Sequence, residues 1–343
     1  MLDHIAGEGG LFDRFCRKEE YGSKMADQYG RFPYYASRDR DIFEPAVSRH
    51  LAGKGFEPEY EGGAKFALCL THDVDALNCN GMIPHGAQFL RAVLTGDVHG
   101  AFSRYGAGTA RGRFLEFDEI IELEKRYGAR STFYFLAVDR DSEDHAYDIA
   151  DLSGELASIL DSGFEIGLHG SQKAHADLAS MSEERRRLEA ALGRKVSGYR
   201  NHYLRFRTPL TWRLLEQAGF SYDTTLGYAD CVGFRNGMCH PFRPYDLEAG
   251  GQTNIVELPL VIMDQTLFGD YMRLDPAGAW ELTKGLIDKV EQCNGIMTVL
   301  WHNYLMHGEY LAFYEKILRY GRERRAWMTG AEELVRNALA QGL

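Results

Sequence analysis

The chain has 343 residues, 45% of them hydrophobic and 26% charged, which is enough to bury a sizeable core beneath a charged surface. That length suits one large domain with additions, since barrels of alternating strands and helices absorb about 250 residues or more as one unit. A formal net charge of −11 disfavours nucleic acid and anionic membrane as partners, because both need a Lys/Arg surplus on at least one face.

Residues 1–14 carry neither a basic leader nor an apolar stretch, and no run reaches the ~18 apolar residues of a membrane span. The expectation is a cytoplasmic protein without a membrane span. Six cysteines (Cys16, Cys69, Cys79, Cys231, Cys239, Cys293) are scattered without a C-x-x-C pair. Their spacing fits neither a disulfide framework nor a zinc knuckle, so they read as reduced packing residues.

Residues 1–64 are mixed, with an aromatic patch at Tyr29 to Tyr35 and glycines at 53, 55, 62 and 63; they read as an N-terminal extension packed on a main body that occupies residues 65–343. That body opens on K-F-A-L-C-L at residues 65–70, a short apolar run expected of a strand buried on both sides. Residues 76–113, rich in Gly and without periodicity, read as an inserted excursion. From Phe117 onwards the pattern is regular. Helices over 117–127, 151–160, 182–192 and 210–218 precede strands over 131–137, 164–168, 196–199 and 221–224 respectively. Further on come a strand at 255–260, a helix at 280–290, a strand at 296–301 and a helix at 309–320. Such alternation predicts βα units and a parallel sheet, and about seven strands predict closure into a barrel. Neither a fixed-period repeat nor a low-complexity segment is present, which argues against a solenoid or a disordered arm.

The residues that carry chemistry follow the strands. L-T-H-D-V-D at residues 70–75 places Asp73 and Asp75 two apart, so in extended chain both face one side, and a metal or cationic partner explains two carboxylates at one spot. In E-I-G-L-H-G-S-Q-K-A-H-A-D at residues 165–177, His169 ends a strand and His175 follows after a turn. A six-residue interval does not suit one helix face, so the two rings converge only through a loop. Asp75, His169 and His175 form the expected ligand set, with His72, Asp73 or Asp177 as substitutes for His175. One carboxylate and two imidazoles suit Zn²⁺ and leave positions open for water and substrate. The ion would acidify its water while Asp73 serves as general base.

Arg200, in G-Y-R-N-H-Y-L-R-F-R at residues 198–207, can hold a carboxylate by a bidentate pair. Asp223 ends another strand and is followed by a loop rich in Gly, Arg and aromatic residues, in which Arg235 and Arg243 either meet an anionic part of a substrate or form surface salt bridges. His302, just past the strand in T-V-L-W-H-N at residues 298–303, suits a general acid that protonates a leaving amine.

With these motifs in this order, residues 65 to about 305 resemble the polysaccharide deacetylase family, carbohydrate esterase family 4, in a branch with D-x-D. The resemblance implies a distorted (β/α) barrel of about seven strands and removal of N-acetyl groups from amino sugars. It also implies Asp73 as base, Asp75, His169 and His175 as metal ligands, Arg200 orienting Asp73, Asp223 supporting the acid His302, and the Tyr203 backbone amide binding the oxyanion. Three features depart from the commonest family pattern: Val74 separates the two carboxylates, the second-motif histidines are six rather than four apart, and His202 stands where Pro is usual.

The reading is therefore a metal-dependent carbohydrate N-deacetylase, in bacterial surface polysaccharide synthesis or modification. A cytoplasmic chain would meet a nucleotide- or lipid-linked amino sugar. Hydrolysis of another non-peptide carbon–nitrogen bond, a formamide or cyclic amide, is the alternative within enzymes, and a non-catalytic sugar-binding barrel the alternative outside them.

Overall fold

The computed structural model describes residues 1–77 and 116–343, so the excursion expected over residues 76–113 lies, except for its first two residues, outside the described residues. Two helices, α1 (Gly9–Phe15) and α2 (Ala46–Gly53), precede the first strand. The βα succession then runs β1 (Ala67–Val74), α3 (Phe117–Arg126), β2 (Thr132–Leu136), α4 (Ser153–Asp161), β3 (Glu165–Gly170), α5 (Leu178–Leu192), β4 (Gly198–Asn201), α6 (Leu210–Ala218) and β5 (Tyr222–Asp223). A small antiparallel pair, β6 (Tyr245–Asp246) and β7 (Gly251–Gln252), interrupts it. The chain continues through β8 (Val256–Glu257), β9 (Leu260–Met263), α7 (Asp264–Phe268), α8 (Pro276–Gln292), β10 (Ile296–Leu300), α9 (Gly308–Glu323), β11 (Trp327–Thr329) and α10 (Ala331–Ala340).

The main sheet has nine strands in the order β8-β5-β4-β3-β2-β1-β10-β9, with β11 pairing β1 off this path; its ladders are all parallel. β11 pairs the base of β1 at residues 67–69 and β2 pairs its upper part at residues 71–74. The two ends of the path, β8 and β9, are separated in the chain only by Leu258 and Pro259. A flat sheet would set them about 34 Å apart at ~4.8 Å per step, whereas three residues reach only about 10 Å. The sheet therefore curls until its edges meet, and the fold is a distorted (β/α) barrel. The strand expected over 255–260 is two strands for the same reason: Pro259 cannot donate to a ladder, and the chain crosses there from one edge to the other.

Period-two alternation sorts the strand residues. Phe66, Leu68, Leu70 and Val74 pack outward against the helices, with Phe133, Phe135, Ile166, Leu168, Met297 and Val299. Inward residues at the base, including Ala67, Cys69, Tyr222, Val256 and Ile296, form a separate apolar plug. Above the plug the interior is polar: Thr71, Tyr134, Arg200 and Thr224 are buried and joined by hydrogen bonds or a cation–π contact. Gly167 leaves the room that the Tyr134 ring occupies, and Gly198 does so for Tyr222. His72, the odd ring of the T-H-D-V-D motif, falls on the outward side. Its Nδ1 donates to the Trp301 carbonyl at 2.8 Å, and its Nε2 lies 2.8 Å from the buried Glu124 carboxylate, which also accepts from the Tyr314 hydroxyl at 2.5 Å.

Residues of the first 64 make buried polar contacts with later ones. Glu20 accepts two hydrogen bonds from Arg235, at 2.9 and 2.8 Å, and one from Thr208 at 2.7 Å. Arg17 donates to Glu20 at 2.8 Å and to the Arg235 carbonyl at 2.6 Å. Burial alone would raise the Glu20 carboxyl, but Arg235 and Arg17 hold it below the usual carboxylate range.

His240 gives the fold a measurable acid sensitivity. Its ring is fully buried, with Nε2 at 2.9 Å from the Cys293 carbonyl, and burial pushes it down to about 4. An unfolded chain takes up that proton near pH 6.5. The stabilisation is complete above about pH 6.5 and is lost as pH falls towards 4, by on the order of 3 kcal/mol. Urea unfolding from pH 7 to 4 should therefore show a shallower loss for His240→Asn than for the parent; parallel slopes would remove His240 as the cause.

Candidate metal centre

Parallel strands in a barrel all end at one rim, so side chains at their C-terminal ends converge. Asp73 lies near the end of β1 with Asp75 just past it, His169 near the end of β3, His202 directly after β4, Asp264 directly after β9 and His302 shortly after β10. Asp75, His169 and His202 each present a ligand atom, and these atoms lie within 4.8 Å of one another.

Each imidazole has its Nδ1 engaged and its Nε2 turned inward. His169 Nδ1 donates to the Arg200 carbonyl at 3.0 Å, leaving Nε2 3.3 Å from Asp75 Oδ1 and 3.6 Å from Asp73 Oδ2. His202 Nδ1 lies 3.0 Å from Asp144 Oδ1, and its Nε2 is 3.8 Å from Asp75 Oδ1. Such carbonyl and carboxylate partners fix tautomer and ring orientation in metal-binding histidines. On the far side, His302 Nε2 is 3.6 Å from Asp75 Oδ2, while its Nδ1 and backbone N–H both contact Asp264 at 2.6 Å. Asp75 thus uses one oxygen towards His169 and His202 and the other towards His302.

The electrostatics follow. Burial would raise the Asp75 carboxyl, but His202, His169 and His302 hold it far below the usual range. Burial would lower His302, yet Asp264, with Asp75 and Asp73, lifts the imidazole to about 9. Arg200 Nη1 faces Asp73 Oδ1 at 3.7 Å, with the rest of the guanidinium tied to Thr224 and Thr71 at 2.9 and 3.0 Å.

The residue set suits a divalent ion. Among the described residues, Asp75 Oδ1 and His169 Nε2 are buried without a hydrogen-bond partner, and burying such polar atoms is costly unless something pairs with them. A cation bound by one carboxylate and two neutral imidazoles would satisfy both, and this donor mix matches zinc sites that keep a position open.

Four expected residues are not brought to this cluster. His175 sits in the turn before α5, with Nδ1 donating to the Gln172 carbonyl at 2.9 Å; burial, with Arg205 nearby, lowers its ring to about 4. Its substitutes are placed as follows: His72 faces the helix layer, Asp177 caps α5 by accepting from Ala179, and Asp73 lies beside His169. The third position is taken by His202, the ring that stands where the family usually has Pro. Asp223 faces Glu257 across the β5–β8 pair rather than His302. Burial raises both carboxyls, Asp223 to about 6, and the Trp212 indole donates to Glu257 at 2.8 Å. The partner of His302 is Asp264. Arg235 spends its guanidinium on Glu20 and on the Gly227 carbonyl at 2.7 Å, and Arg243 reaches the Asn254 carbonyl at 2.8 Å.

The sequence motifs assign no role to His202, Asp144 or Asp264. Asp264 carried a usable signal, since V-I-M-D ends a strand on a carboxylate much as β1 does. Asp144 stands in the loop after β2 and carried none.

Replacing Asp264 by Asn removes the charge that lifts His302. In chelator-treated protein, the His302 imidazole followed by NMR should titrate at least one pH unit lower in Asp264→Asn than in the parent, and an unchanged midpoint would assign the lift to Asp75 instead.

No protein-family profile and no curated protein sequence matches the chain. Among solved structures, a candidate polysaccharide deacetylase from Mycobacterium smegmatis aligns over 83% of this chain and 94% of its own, at 20% identity and a TM-score of 0.56. The allantoinase PuuE aligns over 90% of this chain and 96% of its own, at 16% identity and the same TM-score of 0.56. The chain has the fold of polysaccharide deacetylase structures, shared with that allantoinase.

Proposed function

We propose that the chain is a metal-dependent hydrolase that removes an N-acyl group, N-acetyl first, from an amino sugar. The observation that carries this reading is the juxtaposition at one barrel rim of three donors, Asp75, His169 and His202, a separate carboxylate, Asp73, and an imidazole backed by the Asp264 carboxylate, His302. A sugar-binding barrel needs no base and acid on opposite sides of such a donor set.

An ion held by Asp75, His169 and His202, with zinc as first choice, would acidify a water and polarise the acyl carbonyl. Asp73 takes the proton from the attacking water, oriented by the Arg200 charge at 3.7 Å. His302 passes its Nε2 proton to the departing nitrogen, and Asp264 stabilises the charged ring before that transfer. The backbone amide of Tyr203, at a turn of left-handed φ of 59°, is the proposed donor to the developing oxyanion. A nucleotide- or lipid-linked sugar in the cytoplasm is the proposed setting; no helix among the described residues is long and apolar enough to cross a membrane. The fold shared with an allantoinase favours a second reading, opening of a cyclic amide by the same residues.

Elemental analysis after metal loading should find about one zinc per chain, retained in His175→Ala and lost in His169→Ala and His202→Ala; equal zinc in all four proteins would sink the donor set. Release of acetate or formate from acylated nucleotide sugars, with ring opening of cyclic amides alongside, then decides the reaction. On the true substrate Asp73→Asn should lower kcat by about 10²-fold or more; full rate in that variant would remove Asp73 as base.

A further inference from the structure

His202 differs from the other two donors in what holds it. His169 stands within a strand and Asp75 one residue past another, whereas His202 opens a turn in which Tyr203 and Leu204 take φ values of 59° and 53°. Non-glycine residues in this region are strained and persist only where surrounding structure holds them.

The holding comes from the N-terminal segment. Tyr29 stacks on Tyr203 with ring centroids 4.9 Å apart and planes 13° from parallel, and Tyr203 stacks on His202 at 4.1 Å and 25°. Three rings thus form one pile that ends on the imidazole. Arg31, only 5% exposed, fastens it: Nη1 donates to the Tyr203 carbonyl at 2.6 Å, Nη2 to the Tyr271 hydroxyl at 2.7 Å and Nε to Asp27 at 2.7 Å. The same guanidinium lies 4.7 Å from the Tyr29 ring centroid. His202 is therefore gripped from two directions, by Asp144 at Nδ1 and by the ring pile on its face.

We infer that residues 27–31 are part of the metal centre, with Tyr29 and Arg31 as positioning residues that fix the His202 imidazole through Tyr203. This rests on the reading of Asp75, His169 and His202 as ligands. The N-terminal segment then contributes to metal affinity without supplying a ligand, and a chain lacking it would keep two supported donors and one loose one.

The test uses the full-length protein, with zinc affinity from chelator competition and the visible spectrum of the Co²⁺ form. Loss of outer support of this kind weakens metal binding by about 10- to 100-fold. Tyr29→Ala should fall near the lower end and alter the cobalt band shape, while Tyr29→Phe, which keeps the stack, should stay within about twofold of the parent. Arg31→Lys keeps a charge but loses the forked hold, so it should weaken zinc in the same direction; it decides the matter should Tyr29→Ala fail to fold. Parental affinity and spectrum in Tyr29→Ala, or in Arg31→Lys where that decides, would overturn the positioning role. A parent that takes up no more cobalt than His169→Ala would instead overturn the metal centre itself, and the inference with it.

Discussion

The site depends on one constraint: a buried charge must be answered by a neighbour. Asp75 has imidazoles on both of its oxygens, His302 has Asp264 behind it, His202 has Asp144, and Asp73 has Arg200. Each pair is anchored on a different strand end or loop, so the charges bind the rim together as much as they prepare it for chemistry. The pairing is also incomplete. Asp73 Oδ1, Asp75 Oδ1, His169 Nε2 and Arg200 Nη1 all lack a hydrogen-bond partner among the described residues, which marks the centre of the cluster as the place where an ion, water or substrate atom would complete the set.

The barrel makes this arrangement possible because a strand offers only every second residue to its interior. In T-H-D-V-D the two Asp residues share a side and His72 cannot join them, so the motif divides itself between the barrel rim and the His72–Glu124–Tyr314 packing contact. The polar interior below the rim serves the same end. Thr71 and Thr224 hold Arg200, and Tyr134, for which Gly167 makes room, lies under its guanidinium at 5.2 Å from the ring centroid.

What was legible in the sequence follows from that geometry. The βα rhythm and the strand-end positions of Asp73, Asp75, His169 and His302 could be read because periodicity and position along a strand are local properties. The third donor could not. His175 and His202 are both histidines near strand ends, and only the path of the intervening loop separates the ring that turns into the α5 and α6 packing from the ring that turns inward. The partner of His302 was misplaced for a related reason: Asp223 and Asp264 both end strands, but the choice depends on which strands become neighbours when the sheet curls. β9 pairs with β10 and β5 does not, so Asp264 reaches His302 while Asp223 meets Glu257. The Arg residues of the 223–243 loop illustrate the same limit. A guanidinium free to greet an anion and one committed to a buried Glu20 look alike in sequence.

The position of the N-terminal residues follows from the same need for support. A turn that must present His202 to the cluster forces Tyr203 into left-handed backbone, and the strain has to be countered by contacts outside the turn. β4 is only four residues long and supplies little beyond its last hydrogen bonds. Asp144 restrains one edge of the imidazole but not its face. The ring pile capped by Tyr29 and fastened by Arg31 supplies that missing restraint, and it lies more than 170 residues away in the chain from the ring it steadies. The contacts of residues 1–64 with later ones, through Arg17, Glu20 and Arg235 at one place and Arg31 and Tyr203 at another, therefore couple the stability of the first residues to the geometry of the proposed third donor.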